Sequence, residues 1–348
     1  MCFDEIQCDG DWTVRGSLLI RALFLCVCRR AGEPAVVKGR LLWGSAIEFG
    51  TDAVAFMHRA TKSYGNVFTV RLINQYITIV NDVHSYEQVA KEKNFDFDPI
   101  QKQVNWNVFS FVLREPKKMI KDTGRTVRGS KLPLSMAAFC HKLDQAYDKV
   151  VSVPHYQGTQ LTDGWYQDGL RKFTANTLFD GLFNTIFGHS DEHCFNSQNT
   201  YKNFETFHKY FNYMWLGVPG KLFKPAMKAL EGMVSQPLSG EFLARDDLSE
   251  YVRLAIEYMI EKGQSESDIK GHNLVYLHVN YNTFRLAFWV LDNLLENPKA
   301  YTALMAEIQQ AIDDSRDDAG NAHFDVRTLE KLPILGKQEV TINYSYNI

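Results

Sequence analysis

The chain lacks the marks of several function classes. Its six cysteines, Cys2, Cys8, Cys26, Cys28, Cys140 and Cys194, form no CxxC pair and no framework spacing. A chain of 348 residues that is 45% apolar buries a sizeable core without disulfide staples. A reducing, intracellular setting is the expectation. The net charge is -3, so no global basic balance points to nucleic acid. The phosphate-binding GxGxxG and GxxxxGK patterns are absent, as are the HExxH of zinc peptidases and the GxSxG of serine hydrolases. The acidic stretch DDSRDDAGNAHFD has no glycine at the sixth position of a calcium loop and reads as a solvated turn. There are no internal repeats and no low-complexity linker.

Nor is there an apolar run of about 20 residues, the length a bilayer span needs. Leu18–Cys28 is apolar, but it is short and Arg21 interrupts it. The residues before it are acidic, unlike the basic start of a secretory signal. Arg29-Arg30 follow, as positive residues follow membrane segments on the cytoplasmic side. Two readings stay open for residues 1–32: a partial membrane anchor and an ordinary buried segment.

What the chain does have is a long helical pattern from Gly271 to Pro298. Leu274, Leu277, Tyr281, Phe284, Phe288, Leu291 and Leu295 recur at spacings of three and four, which makes one stripe. Val275, Val279, Leu286, Trp289, Val290 and Leu294 make most of the remaining surface apolar. A helix apolar nearly all round is expected to be buried. His278, Asn280, Asn282, Thr283 and Arg285 form a polar knot in its middle. Buried polar groups cost free energy unless paired, so the knot is a satisfied core network or a site.

Other elements are legible too. Thr51–Tyr64 reads as a helix ended by Gly65. VFTVRL and YITIV, around Ile73-Asn74-Gln75, read as a hairpin. Further helices are predicted over Leu132–Val151, Trp165–Phe187, Tyr201–Trp215 and Arg245–Glu261, and another begins at Asn297-Pro298. Arg114–Lys131 carries seven basic and two acidic residues but no interleaved aromatics, and reads as a solvated loop or helix face, the sharper alternative being a surface for an acidic partner or an anionic cofactor edge. His189, His193 and Cys194 have zinc-like spacing but follow a helix stop at Gly188 and lack a fourth ligand. No metal site is assigned.

The order of the segments resembles the cytochrome P-450 superfamily. The matching stretches are SAIEFG (45–50), GNVFTV (65–70), DVHSY (82–86), FDF (95–97), NTIFG (184–188), GVPGKLF (217–223), NTFRLAFW (282–289) and ENP (296–298). The best matching branch holds sterol 7α- and 12α-hydroxylases and prostacyclin synthase. The resemblance covers residues 33–335 and implies a mainly α fold with small β-sheets. It also implies a haem between the long helix and a C-terminal cysteine loop. Asn282 and Thr283 match the family's pair that relays protons to iron-bound oxygen. Tyr281, Phe284 and Asn280 are the implied substrate-pocket residues. Sterol-like lipids, an NADPH-cytochrome reductase and the cytoplasmic face of the endoplasmic reticulum membrane are the implied substrate, partner and location.

The departures are as informative. The segment before Thr283 is one residue short of the pattern, and one residue turns a helix by about 100°. Haem iron in the superfamily is held by a Cys thiolate in a loop like FxxGxxxCxG, and none of the six cysteines fits it. The family's ExxR should follow the long helix, yet Glu250-Tyr251-Val252-Arg253 precedes it and reads as a surface pair. LEKLPIL (329–335) resembles the lead into the ExxR helix, whereas residues 336–348 match nothing in the family. The expectation is an incomplete P-450 fold, truncated before the ExxR helix and inactive as a monooxygenase. Two alternatives remain, a non-enzymatic sterol- or lipid-binding remnant and a poorly folded truncated product.

Overall fold

A computed structural model describes residues 32–333, except 74, 97, 154–158, 162–164, 190–194, 236, 237, 239, 318, 319, 321–327 and 329–331. The architecture is mainly α with small β-sheets, as the sequence predicts. The chain divides into two compact units that meet in sequence between Phe95 and Asp96.

The first unit holds strands β1 (Ala35–Val36), β2 (Val67–Leu72) and β3 (Gln75–Val80), and helices α1 (Ala46–Thr51), α2 (Ala53–Tyr64) and α3 (Val83–Lys91). The predicted hairpin is β2 antiparallel to β3, with β1 parallel to β2 on the other side. Leu72 pairs with Gln75, so the turn is two residues rather than three. Ile73 sits there at φ 58°, an unfavourable region for a β-branched side chain. Phe68 and Val70 of β2 are buried with Phe56 of α2. Asp52 starts α2 by accepting from the Ala55 amide at 2.9 Å, and Gly65 at φ 85° ends it.

The second unit is a helical assembly. Its elements are α4 (Asp98–Asn107), α5 (Pro116–Thr123), α6 (Leu132–Ser152), the small hairpin β4 (Thr159–Gln160) and β5 (Tyr166–Gln167), and α7 (Leu170–Thr174). A π-helical turn, Ala175–Phe179, joins α7 to α8 (Asp180–Phe187). Then come α9 (Ser197–His208), α10 (Phe211–Trp215), α11 (Lys224–Met233), α12 (Gly240–Leu243), α13 (Glu250–Glu261), α14 (Glu266–Glu296) and α15 (Pro298–Asp314). The sequence places one helix over Trp165–Phe187, but β5 takes its first residues and the π turn widens its middle. Tyr201–Trp215 likewise divides at Lys209 and Tyr210.

The basic stretch 114–131 is a solvated face. Lys118 pairs with Asp122 at 2.9 Å and Lys117 with Asp98 at 2.9 Å, both cations being largely exposed. The ExxR-like pair is not a pair, because Arg253 Nη2 donates to the Arg245 carbonyl oxygen at 2.7 Å.

The 31 residues of α14 make the axis of this unit. At 1.5 Å per residue it is about 46 Å long. It begins earlier than its apolar stripe. Ser265 accepts from the Asp268 amide at 3.1 Å and donates to the Asp268 carboxylate at 2.6 Å, a cap that starts the helix before Gly271. Gly271 lies inside the helix because segment 109–111 presses against it. A Cβ there would stand 2.9 Å from Phe111 Cβ and 3.0 Å from the Phe109 carbonyl oxygen. At the far end Asn297 caps α15 through the Ala300 amide at 3.2 Å, with Pro298 in its first turn.

The core is aromatic. Phe179, Phe183 and Phe187 line one face of the π turn and α8, and Phe204 and Phe207 come from α9. Leu274, Leu277, Tyr281 and Phe284 of α14 complete it. Phe179 meets Phe284 edge-on at 6.3 Å, and Tyr201 meets Phe284 edge-on at 5.6 Å. Edge-to-face pairs of this kind add to the area they bury.

All-round burial of α14 does not hold. Val279 is 53% exposed, Leu286 49% and Trp289 37%. Among the described residues, α14 is covered on one side and bare on the other.

Candidate functional site

The polar knot of α14 is split by helical geometry. Asn280 is buried, and its Nδ2 has no hydrogen-bond partner among the described residues. His278 is half-buried and Asn282 is exposed, and Asn282 Nδ2 lies 3.2 Å from His278 Nε2. That contact makes the ring nitrogen an acceptor of the amide hydrogen, so the other nitrogen, Nδ1, carries the proton of a neutral ring. Thr283 is exposed, and its hydroxyl donates to the Val279 carbonyl oxygen at 3.0 Å. Arg285 lies 5.9 Å from the Tyr281 ring centroid, within the range of a cation–π contact.

The inward side is packed rather than open. Tyr281 lies tilted against Phe204, with ring centroids 4.8 Å apart, and against His208 at 5.0 Å. Phe284 is 1% exposed beneath Phe179 and Tyr201. Tyr281, Phe284 and Asn280, the implied substrate-pocket residues, line none of the four cavities described. The structure brings Asn282 and Thr283 together on the bare face and puts the other three on the covered faces.

Histidines sit inside this packing: His278 of the polar knot, and His208 and His272, which the sequence did not single out. His278 lies parallel to Phe211 at 4.8 Å and close to His208 at 6.2 Å. Burial lowers His278 to about 4, with repulsion from His208 adding to it. Burial also lowers His208 to about 4, helped by the positive Arg285 and Arg171. Burial alone lowers His272 to about 4. A charged imidazole loses its hydration here, so each ring is neutral near pH 7. The signal available beforehand was the i, i+4 spacing of His278 and Asn282. The pairing of His278 with α9 and α10 came only from the fold.

The bare face can be tested against the haem that the resemblance implies. Val279, Leu286 and Trp289 give it apolar surface, and Asn282 and Thr283 give it polar atoms in the middle. That suits one wall of a site for a flat apolar macrocycle. It does not supply an iron ligand. The cysteine among the described residues, Cys140, is exposed on α6. The described residues therefore do not fit a thiolate-held haem by themselves. Among them no group of three His, Cys, Asp or Glu side chains is placed to hold a metal. The suggested ligands His193 and Cys194 lie outside the described residues.

No helix among the described residues is long and apolar enough to cross a membrane. Leu18–Cys28 and the tail 336–348 fall outside them.

No family model matches the chain. Individual curated proteins do match. Cholesterol 7-alpha-monooxygenase from Cricetulus griseus is 25% identical over 342 residues, covering 90% of this chain and 67% of that protein. The 7-alpha-hydroxycholest-4-en-3-one 12-alpha-hydroxylase of Oryctolagus cuniculus is 25% identical over 347 residues, covering 93% and 67%. Prostacyclin synthase from Rattus norvegicus is 26% identical over 299 residues, covering 82% and 58%. The chain spans about two thirds or less of the length of these relatives.

Proposed function

The chain belongs to the cytochrome P-450 superfamily, which its relatives share, and from that premise we propose that α14 is the oxygen-side wall of a lipid-hydroxylating site. The names of these relatives support a lineage of lipid-hydroxylating haem monooxygenases acting on sterols or related lipids. The observation that supports the assignment is the bare face of α14. It carries Asn282 and Thr283 side by side with apolar neighbours on either side along the helix.

In this reading Thr283 Oγ1 and the Asn282 amide are the groups that hold and pass a proton on that face. His278 fixes the Asn282 amide through the 3.2 Å contact, which leaves the amide oxygen pointing away from the ring. The substrate is a sterol or a related lipid. The electron donor is an NADPH-cytochrome reductase, and the setting is the cytoplasmic face of the endoplasmic reticulum membrane. Tyr213 and Leu222 are exposed beside Lys221 and Lys224, a combination suited to peripheral contact with an anionic bilayer. Residues 1–348 hold no cysteine in a loop of the family's kind, so we assign them no monooxygenase activity on their own.

A chimera tests the role of the two residues. Residues 33–335 are joined to the remaining segment of a hydroxylase relative, and oxygen consumption is compared with product formed. Thr283→Ala is expected to uncouple the two. Unchanged coupling removes Thr283 from the proton-handling role.

A further inference from the structure

A groove of about 600 Å³ runs between α9 and the segment from α7 to the start of α8. It shares no lining residue with the bare face of α14. Ala175, Phe179 and Tyr201 give it an apolar floor. One wall includes the π turn Ala175–Phe179. A π turn costs regular hydrogen bonding and recurs at functional sites.

The charges around the groove are not all engaged. Arg171 is bound to Glu205, which also accepts from the Tyr201 hydroxyl at 2.9 Å. Lys172 is bound to Asp168 at 3.1 Å. Asp180 is buried, accepting from Ser197 and, at 3.0 Å, from Asn184 Nδ2. Among the described residues, the Lys202 ammonium and the Asn176 amide have no partner. The groove thus offers an apolar floor, an uncommitted cation and an uncommitted amide donor. It offers no uncommitted anion.

We propose that this groove binds an amphipathic monoanion, a hydrocarbon body bearing one carboxylate. The body lies on Ala175, Phe179 and Tyr201, and the carboxylate meets Lys202 with Asn176 beside it. A charge-assisted contact at one end and an apolar floor at the other fix the orientation of such a ligand. The inference is independent of the haem-side reading, since none of these residues lies on α14.

Laurate, dodecanol and dodecyltrimethylammonium share one alkyl chain and differ in the charge of the head. Titration calorimetry of the full chain, below the micellar range, is expected to give one laurate site. Dodecanol should bind about tenfold more weakly and the cation more weakly still. Lys202 is exposed, so Lys202→Glu should keep the circular dichroism of the parent. It should lower laurate affinity at least to that of dodecanol. Asn176→Trp, which fills the groove, should abolish binding of both. Equal affinity for laurate and dodecanol overturns the proposal, as does laurate binding that ignores both substitutions.

Discussion

Tyr281 and Thr283 stand two residues apart on α14 and face opposite environments. Tyr281 is 3% exposed between Phe204 and His208, whereas Thr283 is exposed with its hydroxyl turned back to the Val279 carbonyl. Two residues turn an α-helix by about 200°, which is enough to take one side chain from core to surface. The helix is therefore the divider between a finished core and an uncovered face. Tyr281→Ala is expected to destabilise the chain by about 3–5 kcal/mol, the range for deleting a buried aromatic. Thr283→Ala should change stability by no more than about 0.5 kcal/mol. Urea unfolding followed by circular dichroism measures both. Similar losses from the two would mean that α14 has no bare face.

The close approach at Gly271 gives a second expectation. Adding a Cβ brings it to 2.9 Å from Phe111 Cβ and 3.0 Å from the Phe109 carbonyl oxygen. Alanine gains about 1 kcal/mol of helix propensity over glycine, but the overlap forces segment 109–111 or α14 to shift, at about 1–3 kcal/mol. Gly271→Val adds branching to the same overlap and should cost more than Gly271→Ala. A denaturation midpoint that rises for both would remove the contact.

Three histidines, His272 buried and His208 and His278 half-buried, set a pH dependence. His272, His278 and His208 lie at about 4 in the folded chain, against about 6.5 in the unfolded one. Between those values the unfolded chain binds more protons, so stability rises with pH. The contribution is complete above about 6.5 and is lost as pH falls towards 4. His272→Leu keeps an apolar group against Phe111 and Tyr276 and should flatten this slope. Urea midpoints from pH 7 to pH 4.5 test it. An unchanged slope would mean that His272 is solvated.

The cap of α14 is testable by deletion. Ser265→Ala removes the hydroxyl that both accepts from and donates to Asp268, at a cost of about 1 kcal/mol. Asp268 also accepts from the Val112 amide at 3.1 Å, so the loss should be accompanied by faster amide exchange at Val112. Stability and exchange both equal to the parent would contradict the capping role.

Much of this was legible in the sequence, and the reasons are local. The hairpin of β2 and β3, the stop at Gly65 and the Asn297-Pro298 boundary are written in adjacent residues. So is the stripe Leu274, Leu277, Tyr281 and Phe284. The start of α14 was missed because Ser265 and Asp268 carry no apolar signal and Gly271 reads as a break. The bare face was missed because Val279, Leu286 and Trp289 look the same in sequence whether covered or not. The groove at Lys202 was missed because Arg171 and Glu205 are far apart in sequence. The π turn beside it has no signature in residue type.

The central proposal is that α14 forms the oxygen-side wall of a P-450 site and that none of the six cysteines of residues 1–348 supplies its thiolate. Expressing them with haem supplied, reducing the product and adding carbon monoxide tests it most directly. The expected result is a spectrum without the Soret shift of a thiolate-ligated iron. A thiolate-type Soret band from these residues alone would contradict the account.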